Sequence, residues 1–140
     1  QNVNLRGTFL GAREAVARMR KGSTKKGVII NVASVAGHRG RHHLAHYSAS
    51  KHGVIGLTRS LALELGQDGI RILAIAPGIT STPGLEQRGL SEDTKRRAAA
   101  MPLGRVGVPD DVARVILFCA LDMSSLMTGT TLFVDSGATA

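Results

Sequence analysis

Ser34, Tyr47 and Lys51 place a hydroxyl, a phenol and an ammonium within one short segment, SVAGHRGRHHLAHYSASK. Tyr47 and Lys51 are four residues apart in a stretch with helical apolar spacing, so their side chains leave one face of a helix, one turn apart. A phenol is a weak proton donor or acceptor at neutral pH. A neighbouring cation favours phenolate, which makes Tyr47 a usable general acid/base tuned by Lys51. Ser34 follows the apolar run VIINVA at 28–33, which suits a strand buried on both faces of a parallel sheet. Ser34 then lies at a strand's carboxyl end, where open α/β sheets bind their ligands, and its hydroxyl can hold a substrate oxygen while Tyr47 moves the proton. A Tyr and a Lys at this spacing are a weak signal alone, because a half-buried ring and a solvated amine satisfy it equally well.

The context strengthens it. NVASVAG, YSASK, GLTRSLALEL and IAPG follow one another in order, and together they closely resemble the short-chain dehydrogenase/reductases along essentially the whole chain. The resemblance implies an oxidoreductase that interconverts a small-molecule alcohol and ketone by hydride transfer, with NAD or NADP as cofactor. Ser34 would position the oxygen, Tyr47 transfer the proton, and Lys51 tune Tyr47. Tyr47 and Lys51 would also border the cofactor, Lys51 holding the nicotinamide ribose hydroxyls. Asn4 matches the asparagine of an N-x-N-L-x-G-x-F-like pattern that kinks its helix and anchors a water in the proton relay. Pro77, Gly78 and Thr82 match a turn that holds the nicotinamide end, with Thr80 standing where an aliphatic residue is commoner. The resemblance further implies a homotetramer built on helix-to-helix and strand-edge contacts.

These residues need elements to position them. The spacing predicts a helix over 2–21 with Val3, Phe9, Leu10, Val16 and Met19 on one side, then the strand that ends at Ser34. A helix from about Tyr47 to Leu65 buries Val54, Leu57, Leu61 and Leu65, and its small residues Ala49, Gly53 and Gly56 would let another helix pack closely. A second strand, Ile70 to Ala76, stops at Pro77-Gly78, and GITSTPGLEQRG after it reads as an irregular lid. Ser91 starts a helix to about Met101. Pro109 opens another to about Leu121, with Val112, Val115, Ile116 and Cys119 inward, and Thr130 to Asp135 is the last strand. The fold class is therefore α/β with a parallel sheet. No interdomain linker is visible, so residues 1–140 read as a single partial domain, the C-terminal, catalytic half of a Rossmann-like doubly wound sheet. The strand, glycine-rich turn and helix that would cradle a pyrophosphate do not occur in this sequence. The chain also opens inside a helix, so an N-terminal half is expected to be absent and the chain alone to be inactive.

Composition narrows the alternatives. With 140 residues, 43% of them hydrophobic, the chain can form one soluble domain with a core. A single cysteine excludes an intrachain disulfide framework, and its setting in VILFCAL reads as a buried thiol. A reducing compartment, the cytoplasm, is the natural default. The longest apolar run, 115–121, is too short to cross a bilayer. Net charge is +8, yet the basic residues are scattered and only one Tyr, three Phe and no Trp are available to stack bases, so a solvated basic surface is favoured over nucleic-acid binding. His42 and His43 are adjacent in a loop without Cys, Asp or Glu, an unpromising metal site. The loop from His38 to His46, with Arg39 and Arg41, is expected to be exposed and to make the substrate mouth positive; histidine protonation below about pH 6.5 would add to its pull on an anionic substrate. Two other function classes remain: a non-catalytic half-domain or pseudoenzyme subunit serving assembly, which has no need of the Ser-Tyr-Lys set, and a basic nucleic-acid module, whose binding would fall steeply with salt.

Overall fold

Alternation of side chains on the central strand organises the molecule. In the computed structural model, which describes residues 2–24 and 26–140 except the side chains of Glu86 and Arg88, three strands form one parallel sheet in the order β1-β2-β3. They are β1 (Gly27–Val32), β2 (Ile70–Pro77) and β3 (Thr131–Val134). The helices are α1 (Gly7–Lys21), α2 (Ala45–Leu65), α3 (Pro83–Arg88), α4 (Glu92–Ala99) and α5 (Pro109–Ala120). Successive strand residues face opposite sides. Ile70 and Ile72 meet Val16 of α1 and Ala62 and Leu65 of α2, whereas Leu73 and Ile75 meet Cys119 and its neighbours on α5. Two helical layers thus sandwich the sheet. Ile72, Leu73 and Ile75 have no exposed surface, and each contributes about 1.5–3 kcal/mol by its burial. Burial also pushes the Cys119 thiol above its ordinary pKa, as expected for a packed, unreactive thiol.

Four expectations need correction. β1 was expected to be buried on both faces, but Val28, Ile29 and Ile30 are half-buried and Val32 is 49% exposed. The reason is topological: β1 ends the sheet, and among the described residues its outer edge has no partner strand. The first helix is not uniform, because residues Asn2–Arg6 form a π-helical turn before α1. The wider turn shifts the helical phase of Val3, which is exposed, relative to Ala12 and Val16, which are buried; Phe9, in the first turn of α1, is also exposed. The supposedly irregular segment after β2 contains α3, whose start is capped by Thr82 Oγ1 accepting from the Leu85 N–H at 3.4 Å. Pro83 is its first residue, where a missing N–H costs nothing. The same segment is tied down by Ser81 N–H to the Gly107 carbonyl at 2.8 Å and Gly107 N–H to the Ile79 carbonyl at 2.9 Å.

The fourth concerns the small-residue face of α2. A Cβ at Gly53 would lie 2.8 Å from the Leu5 side chain, so that glycine accommodates the chain's own π-helical turn. Gly56 has nothing within 4 Å and is open. Among the described residues, no helix is long and apolar enough to cross a membrane.

Candidate active site

The site is assembled where β1 runs out. Ser34 is extended, and its Oγ accepts from the Ala36 N–H at 3.2 Å, capping the buried 3-10 turn Val35–Gly37. That turn lies directly on α2: a Cβ at Gly37 would be 2.5 Å from the Lys51 carbonyl oxygen. This close approach sets Ser34 beside the first two turns of α2, which carry Tyr47 and Lys51. Lys51 Nζ donates to the Val32 carbonyl at 2.8 Å, strapping α2 to the end of β1, and lies 5.8 Å from the centroid of the Tyr47 ring. Partial burial holds the Lys51 ammonium below the ordinary lysine pKa. The Tyr47 hydroxyl has no hydrogen-bond partner among the described residues, so it is not spent on holding the fold.

The strand that follows α2 brings the second half of the site. Ser34, Tyr47, Lys51, Pro77, Gly78, Thr80 and Thr82 line one cleft of about 460 Å3 at the carboxyl ends of β1 and β2. Its opposite wall is apolar, from Pro109, Val112, Ala113 and Ile116 of α5. Thr80 forms a bridge with Gly107, and its hydroxyl is 3.4 Å from the Gly78 carbonyl, to which it donates. Hydroxyls, a phenol and one ammonium thus share one cleft with an apolar wall, a lining suited to a ligand with an apolar ring and several polar groups.

Asn4 is the one expected site residue that does not line the cleft. It sits on the π-helical turn behind it, where its Nδ2 donates to Ser50 Oγ at 3.1 Å and its carbonyl accepts from Thr8 Oγ1 at 2.6 Å. Ser50 Oγ donates in turn to the Tyr47 carbonyl at 2.7 Å, so Asn4 is linked to the backbone of Tyr47 through one hydroxyl. Ser50 and Gly37 escaped sequence reasoning. So did the buried pair in which Asn31 Nδ2 donates to Thr58 Oγ1 at 3.0 Å, tying β1 to α2. For Asn31 a signal existed: an amide within an apolar strand demands a buried partner.

The loop between Ser34 and Tyr47 divides its charges differently from the expectation. His38 turns its ring edge-on to Phe133 of β3, with centroids 4.9 Å apart, and His42 and His43 lie against each other at 3.8 Å. None of the five histidines lines the cleft. Ring contacts engage His38, His42 and His43, and His52 is bonded to the Ser48 carbonyl, so no histidine is placed to touch a substrate in the cleft. Arg39 and Arg41 line a separate, adjoining cavity.

The model of a family described as Enoyl-(Acyl carrier protein) reductase matches residues 1–139. This chain belongs to the short-chain dehydrogenase/reductase family. Among family members, a 3-oxoacyl-acyl-carrier-protein reductase of Thermotoga maritima is 44% identical over 137 residues, covering 97% of this chain and 54% of the relative. A 4-hydroxyisoleucine dehydrogenase mutant complexed with NADH and succinate superposes with a TM-score of 0.91 at 34% identity, over 99% of this chain and 57% of that one. An NADPH-bound ElxO variant superposes with a TM-score of 0.88 at 33% identity, over 97% of this chain and 55% of that one. The Rossmann-like α/β character of the family is thus present here, and the chain spans about half the length of the curated relatives it matches.

Proposed function

We propose that this chain is the catalytic half of an NAD- or NADP-dependent oxidoreductase that interconverts an alcohol and a ketone. The observation that carries the reading is the convergence of Ser34, Tyr47 and Lys51 with Pro77, Gly78, Thr80 and Thr82 on one cleft at the carboxyl ends of the strands. Ser34 Oγ–H and the Tyr47 phenol hold the substrate oxygen between them. In reduction Tyr47 gives its proton to that oxygen, and in oxidation it takes the alcohol's proton. The Lys51 ammonium lies 5.8 Å from the centroid of the Tyr47 ring, near the group that moves the proton. Lys51 and Tyr47 would hold the ribose hydroxyls of the cofactor, and the 77–82 turn its carboxamide; the bound nicotinamide supplies or accepts the hydride. The α5 face, with Val112 and Ile116, keeps water from the reacting carbon. Asn4 supports the geometry, and the proton path, through Ser50.

The open edge of β1 supports the partial-domain reading. An apolar strand with an unpaired outer edge is a liability in water, and further strands of the same sheet would cover it while bringing the glycine-rich pyrophosphate turn that these residues lack. The assembled protein is taken to be a cytoplasmic homotetramer, with the open face around Gly56 as one association surface. The test is to assay NAD- and NADP-linked oxidation of an alcohol panel by the 140-residue chain alone and by the protein that joins it to a complementary N-terminal half. Turnover is expected only from the joined protein. Substantial turnover by the chain alone would refute the partial-domain reading, and none by either would refute the activity.

Lys51 gives a sharper test. Lys51→Met removes the ammonium proposed to hold the ribose hydroxyls, so the KM for the cofactor should rise by roughly tenfold, the loss of about one charge-assisted hydrogen bond. An unmoved KM would take Lys51 out of cofactor binding and leave it as the strap to Val32.

A further inference from the structure

Beside the cleft, and sharing Gly78 with it, lies a second cavity of about 360 Å3. Three arginines from two distant segments open into it: Arg39 and Arg41 from the loop after the Val35–Gly37 turn, and Arg97 from α4. Among the described residues no Asp or Glu side chain lines it; Ala140, the last residue of the sequence, does. Several arginines elsewhere are paired at close range, Arg20 with Asp68 at 2.6 Å, Arg105 with Asp111 at 2.7 Å and Arg114 with Asp110 at 2.7 Å. Around the cavity such close pairs are missing among the described residues. Arg97 has only a loose pairing with Asp93 at 3.9 Å, and Asp93 is also engaged by Arg96 at 2.7 Å. Arg39 donates to the carbonyl of Ala138, a neutral partner. Arg41 is half-buried and has no ion-pair partner among the described residues. Its guanidinium is held below the ordinary arginine pKa, by burial first and then by repulsion from Arg97 and Arg39.

Three cations gathered around one cavity with so little counter-charge repel one another, and a bound anion relieves that repulsion. Guanidinium forks are suited to the paired oxygens of such a group. We propose that Arg39, Arg41 and Arg97 form an anion subsite that receives an acidic substituent, carboxylate or phosphate, carried by the alcohol or ketone turned over in the adjoining cleft. Both cavities are lined by Gly78, so the proposal requires a substrate long enough to reach past it. This rests on the oxidoreductase reading for the reacting group, while the anion chemistry rests on the arginines alone.

The test compares two matched ketones, one neutral and one bearing a carboxylate on a flexible arm, with the joined protein and saturating cofactor. The ratio of their kcat/KM values is the readout, because a folding defect lowers both together. The carboxylate is expected to be favoured by about 10- to 100-fold, the gain of one or two charge-assisted hydrogen bonds. That ratio should fall towards one in Arg39→Ala/Arg41→Ala/Arg97→Ala, and at least several-fold in Arg41→Gln, which spares the Arg39 bond to Ala138. No preference in the wild type, or one that survives both variants, overturns the subsite. If neither ketone reacts, the oxidoreductase reading has failed, and binding of millimolar inorganic phosphate decides the rest. A rise in Tm with phosphate that Arg41→Gln abolishes supports the anion site, and equal responses overturn it. Turnover without preference but with such a rise would assign the cavity to a free anion, against the substrate subsite.

Discussion

Tyr47→Phe in the joined protein should lower kcat/KM by about a thousandfold in both directions while leaving cofactor affinity within about twofold, the expected effect of removing one general acid/base. The substitution keeps the ring beside Lys51, whose Nζ lies 5.8 Å from its centroid, and deletes only the hydroxyl. That hydroxyl has no partner among the described residues, so the fold loses no hydrogen bond. Stability should therefore change by less than about 0.5 kcal/mol, as for a substitution outside the core. Steady-state kinetics, cofactor titration and thermal unfolding on one preparation separate the two quantities. A loss below tenfold would show that another group moves the proton. A large loss together with a collapsed Tm would return Tyr47 to a packing role.

Gly37→Ala should damage both fold and activity, although Gly37 touches no reacting atom. The new methyl would sit 2.5 Å from the Lys51 carbonyl oxygen and 2.6 Å from its carbonyl carbon. These are backbone atoms inside a helix and cannot swing aside as a side chain would. The Val35–Gly37 turn must then retreat from α2, at a cost of about 1–3 kcal/mol for overpacking. Ser34 caps that turn through Ala36, so it would retreat too, away from Tyr47 and Lys51. A displacement of about 1 Å is enough for a loss on the order of a hundredfold in kcat. Gly40→Ala is the control, since a Cβ there meets nothing within 4 Å, and it should leave Tm and kcat nearly unchanged. If the two variants behave alike, the close approach at Gly37 is not what holds the site together.

Much of this was legible in the sequence because it depends on local periodicity and spacing. A short run rich in β-branched residues such as VIINVA favours a strand, and apolar residues at three- and four-residue steps favour α2, so a residue at the end of one and a pair one turn apart on the other can be given expected roles from their positions. The buried Cys119 followed from its apolar neighbours in the same way. Tertiary structure decided whatever depends on residues far apart in the chain. That β1 is an edge, and so only half-buried, is a property of the sheet and cannot be seen in the strand. The nearness of Gly37 to Lys51, the link from Asn4 through Ser50 to Tyr47, and the occupation of Gly53 by Leu5 each require two segments to be brought into contact by the packing of helices on strands. The loop from His38 to His46 shows the same division. Its charge could be counted from the sequence, but the sorting of its histidines towards Phe133 and one another and its arginines into a shared cavity was settled by what β3 and α4 present to it. Side-chain chemistry is written residue by residue, whereas direction comes from the neighbours that folding supplies.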